Sequence, residues 1–143
     1  MKNDIKNKHD IVLLVNAFYE KVKVDPYIGY IFTDIAKVNW EKHLPRMYDF
    51  WENTLFYTGS YQGNPMESHK HLSRIAPLTA EHFSHWLVLF NTTVDEMFEG
   101  PVALLAKQKA FSIATIMRIK ILQENPITKK KDAGDNDQDH ILR

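Results

Sequence analysis

The chain has 143 residues, 44% of them hydrophobic and 25% charged, with 18 basic and 18 acidic side chains that cancel to a formal net charge of zero. This length can bury one sizeable core, the composition is that of a globular domain, and the balanced charge offers no basic stripe for phosphates, which argues against nucleic acid as a partner. The chain has no cysteine, which excludes disulfides, thiolate catalysis and Cys-ligated metals, so any metal must be held through histidine or carboxylate.

The amino terminus, MKNDIKNKHD, is polar where a secretory signal needs an apolar centre. No apolar run approaches spanning length, so a cytoplasmic protein without membrane contact is expected. After Asp10, the spacing of Ile11, Leu14, Val15, Phe18 and Val22 predicts an amphipathic helix with Tyr19 at the edge of its apolar face. Asp25 and Pro26 read as the cap and first residue of a short helical turn ending near Phe32. Leu44, Met47, Tyr48, Trp51 and Leu55 predict a long helix from about Asn39 to Tyr57, with Gly59 just beyond its end and His43 on the side of Met47 and Phe50. Pro45 lacks an N–H, so it either belongs to an early turn or bends this helix.

The stretch TGSYQGNP reads as a loop, and Asn64, Pro65 and Glu67 start another helix. At about 100° per residue, His69 shares a side with Pro65, Met66 and Leu72, while His71 is turned about 200° away from it. Thr79 caps a helix with Glu81 in its first turn and a stripe of Phe83, Trp86, Leu87, Phe90, Val94 and Met97. Gly100 and Pro101 break and restart the chain. Leu105, Ala106, Ala110, Ile113, Ala114, Met117 and Ile121 then predict a last helix from Pro101 to about Glu124. No segment alternates with a period of two, so an all-α domain of residues 1–124 is expected, followed by a polar tail, 125–143.

Seven histidines on a helical scaffold direct attention to imidazole chemistry. His9 and His140 lie near the termini and read as solvated groups. His82 and His85 are three apart, a spacing that lets two imidazoles share zinc, but no third ligand is evident and a polar flank is the preferred reading. His69 on the apolar side of a short helix is either a hydrogen-bonded structural residue or a metal ligand. Tyr19, His43 and Trp86 each carry a polar group on an inward face. They are either amphipathic core residues or donors converging on one pocket from three helices, with no carboxylate pair or Ser/His/Asp set competing.

The run Ala17, Phe18, Tyr19, Glu20, Lys21, Val22, then Ile31 and Phe32, Asn39, Trp40 and His43, and Phe50 with Trp51, resembles the distal half of a third-group truncated haemoglobin, a bacterial globin family. Tyr61, Gly63, Asn64, Pro65, Met66 and His69, followed by Leu78, Thr79, Phe83, Trp86, Leu87 and Phe90, resembles its proximal signature, and the likeness spans about residues 8 to 123. The resemblance implies a two-over-two helical sandwich around haem b, iron protoporphyrin IX, with His69 as the proximal iron ligand. It further implies Tyr19, His43 and Trp86 as distal, ligand-stabilising and catalytic groups. Phe32 would lie against the porphyrin, Met47 and Leu72 would line the pocket, and Arg46 would reach a propionate. Two departures stand out: Pro45 in the distal helix, and a slightly longer linker, HKHLSRIAP, that offers His71 as a rival ligand. The facing geometry, and the position four after Pro65, favour His69.

The small ligands so implied are O2, NO, CO or peroxide. Polar distal donors slow the release of oxygen, which suits redox chemistry such as an NO dioxygenase or peroxidase-like activity better than oxygen transport, and such turnover needs an external reductase. The alternative is a non-catalytic store or sensor of oxygen or NO. A third reading is a cofactor-free helical interaction module in which His69 satisfies a core hydrogen bond.

Overall fold

The computed structural model describes residues 2–35, 37–59 and 78–123. The chain runs through α1 (Lys8–Val24), a π-helical turn (Ile31–Ile35), α2 (Trp40–Phe56), α3 (Ala80–Met97) and α4 (Pro101–Gln123), with no strand among the described residues. The predicted short helix carrying His69, His71 and Leu72, and the predicted tail at 125–143, lie outside the described residues.

Each helix begins where a side chain satisfies its first free N–H groups. Asn7 accepts from the Asp10 N–H at 3.0 Å, and Asp10 accepts from the Lys6 N–H at 2.8 Å, so α1 starts at Lys8, ahead of the predicted boundary. Asp10 thereby sits in the first turn, where its charge complements the helix dipole. Ile11, Leu14, Val15, Phe18, Tyr19 and Val22 form the buried face of α1, and Asp25 closes its end. The predicted short turn after Pro26 continues past Phe32 as the π-helical turn to Ile35. Gly29 packs so closely on the end of α1 that a Cβ would lie 2.7 Å from the Val22 carbonyl oxygen and 2.9 Å from that of Lys23.

Asn39 caps α2 through the Glu41 N–H, and α2 runs through Pro45 to Phe56. Pro45 sits exposed in the second turn, where its missing N–H removes a single intrahelical bond. The helix ends on Tyr57 in the left-handed region (φ 58°), and Gly59, just beyond, donates to the Asn53 side chain at 2.6 Å. At the start of α3, Thr79 accepts from the His82 N–H, and His82 Nδ1 accepts from the Thr79 N–H at 2.9 Å, a capping box closed by histidine.

The cap of α4 comes from the far end of the chain. Asp4 accepts from the Val102 and Ala103 N–H groups at 2.9 and 2.8 Å, and Asn3 accepts from the Glu99 N–H at 2.9 Å. Gly100 (φ 147°) leaves room for Asp4, whose Cγ would lie 2.5 Å from any Cβ built there.

The helices form two layers: α1 packs against α2 and α3 against α4, with α1 resting on α3 and α2 on α4. Phe18 meets Phe90 edge-on at 5.3 Å, and Trp51 stacks on Phe90 at 4.7 Å. Such pairs add about 0.5–1.5 kcal/mol each beyond the apolar area they bury. Ala103, Ala106, Ala110 and Ala114 make up the buried side of α4 and let it approach its neighbours closely. A second, smaller cluster joins Ile31, Leu78, Phe83 and Met117, and Phe32 and Ile113 touch both clusters. Among the described residues no helix is long and apolar enough to cross a membrane.

Candidate functional site

Four aromatic rings from three elements meet where α1, the π-helical turn and α2 come together. Tyr19 belongs to the last third of α1, Phe32 to the turn, and Trp40 and His43 to the first turn of α2. The Tyr19 ring lies 5.2 Å from that of His43, 5.4 Å from Trp40 and 6.2 Å from Phe32, and Trp40 stacks on Phe32 at 6.2 Å with 23° between planes. Trp40 also meets His43 edge-on at 5.6 Å, and the ammonium of Lys23 sits 4.7 Å above the Trp40 ring.

Tyr19 is 6% exposed, and burial pushes its phenol well above the usual range. It therefore stays protonated and keeps a hydrogen to donate at any working pH. His43 carries a buried Nε2 beside it. The site thus combines protic groups with walls of flat apolar ring.

The remaining sequence-predicted residues divide into three groups. Met47, half-buried one turn beyond His43, packs against the main core, and Arg46 beside it is exposed. Trp86 lies behind Phe18, meeting it edge-on at 5.7 Å and stacking on Phe90 at 5.9 Å, while Phe18 in turn touches Tyr19 at 4.8 Å. Tyr19, Phe32 and His43 are therefore brought into direct contact, and Trp86 stands one ring away. His69 and Leu72 lie outside the described residues.

His82 and His85 take separate partners. His82 closes the cap of α3, and His85 meets Asp25 at 2.6 Å. Among the described residues no group of three or more His, Asp or Glu is placed to hold a metal ion. Sequence reasoning named Trp40 beside His43 but gave it no role in the site. The signal was available, because Trp40, Leu44 and Met47 continue the apolar spacing of α2 back into its first turn, on the side of His43.

A model of the bacterial-like globin family matches residues 3–120. The chain is 30% identical over 118 residues to the group 3 truncated haemoglobin ctb of Campylobacter jejuni subsp. jejuni, covering 80% of this chain and 91% of that protein. The chain belongs to the bacterial-like globins, in their third truncated haemoglobin group. The crystal structure of the group III truncated haemoglobin from Campylobacter jejuni superposes with a TM-score of 0.75 at 28% identity, covering 87% of this chain and 98% of that one.

Globins bind haem and, through it, small gaseous ligands such as oxygen. The residues of this truncated haemoglobin fit that group. The flat apolar ring of Phe32 suits a macrocycle, and the buried Tyr19 and the half-buried His43 give a small polar ligand donors to meet. Phe32, in contact with both apolar clusters, sits at the seam of the core.

Proposed function

We propose that this globin uses haem b, with His69 as the iron ligand, to hold small diatomic ligands in a donor-lined distal pocket and to act on them by redox chemistry rather than to transport oxygen. The observation that carries this reading is the contact of the buried Tyr19 ring with His43 inside the aromatic cluster. Haem iron held by an imidazole supplies ligand binding and electron transfer.

The protein's own groups set the outcome. Tyr19 presents a hydroxyl that stays protonated and His43 an imidazole, and these donors stabilise negative charge on a small ligand, while Trp86 backs the pocket from behind Phe18. Each such donor contributes on the order of 1.5–3 kcal/mol in a water-poor pocket, a factor of about 10 to 150 in release. Phe32 and Trp40 keep water from those donors and so preserve their strength. In this reading Met47 and Leu72 would line the pocket, and Arg46, exposed on α2, would meet a propionate. A pocket that releases oxygen slowly is a poor carrier and a better platform for removing NO or peroxide with electrons from an external reductase.

The first test is absorption spectroscopy of the haem-loaded protein in its ferric, ferrous and CO forms, with His69→Ala and His71→Ala variants. Loss of the globin-like ferrous and CO spectra in His69→Ala alone supports the ligand assignment, and loss in His71→Ala alone moves the ligand to His71. Turnover of NO or peroxide with a reducing system supports the redox role. Tight binding without turnover makes the protein a store or sensor instead.

A further inference from the structure

Trp40 is the first residue of α2, and its ring is fixed from three sides: it stacks on Phe32, it meets Tyr19 at 5.4 Å, and Lys23 lies over it at 4.7 Å. His43 is one turn further on, edge-on to Trp40, and its backbone N–H donates to the Asn39 carbonyl at 2.8 Å. The first turn of a helix is the part that frays most readily. Here that turn carries the imidazole of the pocket, and its apolar anchor is Trp40. Lys23 comes from the last turn of α1 with its side chain 29% exposed, and Glu20 lies 3.4 Å from its ammonium. The cation therefore bridges the end of α1 to the start of α2 through a ring face.

We infer that Trp40, clamped by Lys23, is a positioning residue that keeps His43 turned onto Tyr19 and thereby holds the solvent side of the pocket shut. The inference rests on the proposed haem pocket and deepens it. Lys23 touches no ligand and acts only through Trp40. Weakening the clamp loosens the first turn of α2, lets His43 leave Tyr19 and opens a way in for ligands. A cation over an indole contributes about 0.5–1 kcal/mol at a partly exposed site, which sets the expected change at about twofold to fivefold.

The test uses the full chain with two readouts: CO recombination after flash photolysis of the haem-loaded protein, and proton cross-relaxation between the His43 and Tyr19 rings in the haem-free protein. Lys23→Met and Trp40→Leu are expected to speed recombination about twofold to fivefold and to weaken the ring cross-peak. Lys23→Arg, which keeps a cation over the ring, stays close to wild type. Lys21→Met removes another base from the last turn of α1, one that pairs instead with Glu96, and should match wild type in both readouts. In a His43→Ala background, Lys23→Met should no longer alter the rate. Unchanged or slower recombination in Lys23→Met and Trp40→Leu, with the cross-peak intact, overturns the inference. If the wild type gives no globin-like CO spectrum, the proposed function fails, and the cross-peak in the haem-free protein still decides the role of Trp40.

Discussion

Nε2 of His85 lies 2.6 Å from the carboxylate of Asp25, joining residues 60 positions apart and fastening the first turns of α3 to the end of α1. Asp25 also accepts from the Tyr27 and Ile28 N–H groups at 2.8 and 3.0 Å, so one carboxylate organises the turn that leads to Phe32. Burial works to raise this carboxyl. The hydrogen bonds from His85, Ile28 and Tyr27 outweigh it and hold the carboxyl below the usual range. The stability it contributes is therefore present above the ordinary carboxylate pKa and is lost as pH falls through the lower folded value. Asp25→Ala should lower unfolding free energy by about 1–3 kcal/mol at pH 7 and flatten the acid limb of the stability profile, both read from urea titrations. An acid limb identical to wild type would remove Asp25 as its source.

His82 gives a second pH window, set by the capping box. Its Nδ1 must accept from the Thr79 N–H, so the neutral ring carries its proton on Nε2 and protonation destroys the acceptor. Burial lowers its pKa, with His85 adding to the effect and Glu81 opposing it. A histidine with a lowered folded pKa contributes stability that is present above about pH 6.5 and lost as pH falls through the folded value. His82→Gln, which can still accept from the cap, should keep neutral stability while reducing the loss as pH falls below about 6.5. His82→Ala should lose about 0.5–1 kcal/mol at pH 7. Equal slopes in wild type and His82→Gln would assign that window to another group.

Gly29 admits no side chain. A Cβ there meets two backbone carbonyl oxygens at the end of α1, neither of which can rotate away. Gly29→Ala should cost about 1–3 kcal/mol and, because it displaces the turn holding Phe32, should also reduce haem retention measured by transfer to an acceptor globin. A stable variant that holds haem as the wild type does would show that the turn can shift without consequence.

Tyr57 makes the opposite prediction. It is 75% exposed yet occupies the left-handed position at the end of α2 that glycine takes most easily. Tyr57→Gly should raise stability by about 0.5–1 kcal/mol, seen as a higher denaturation midpoint with an unchanged slope. A fall in the midpoint would mean that the tyrosine ring makes contacts worth more than the backbone strain.

Tyr19→Phe isolates the distal donor. It keeps the ring that packs on His43, Trp40 and Phe32 and removes only the hydroxyl. Oxygen release from the haem-loaded variant should accelerate by a factor of about 10 to 100, measured by stopped-flow displacement. A change below about twofold would shift the stabilising role to His43.

The helices were legible because burial repeats locally. The spacing of Ile11 to Val22, and of Leu44 to Leu55, located α1 and α2, and for α2 the predicted ends, Asn39 and Tyr57, are the two cap residues themselves. Asp4 was not legible. A carboxylate in a polar amino terminus looks solvated, and its partners lie 98 and 99 positions further along. His82 escaped because a capping box is recognised by Glu or Gln at the third position, and here an imidazole nitrogen does the accepting. In the proposed site, His43 and Phe32, both named from the sequence, each meet Tyr19. Trp40 was named in the distal resemblance but given no role, because the apolar series was started one turn late, and Trp86 was placed on the right helix but stands behind Phe18.

The bond between Asp4 and the start of α4 bears on how the molecule is made. At about 5–20 residues per second, roughly 5–20 s separate the synthesis of Asp4 from that of the N–H groups it caps. During that interval Asp4 lacks the Val102 and Ala103 N–H groups it caps, and Asn3 lacks the Glu99 N–H. The turn that opens α4 then gives two hydrogen bonds to a carboxylate 98 and 99 positions earlier in the chain. An extension fused ahead of Met1 would be tolerated only as far as it leaves Asn3 and Asp4 free to return.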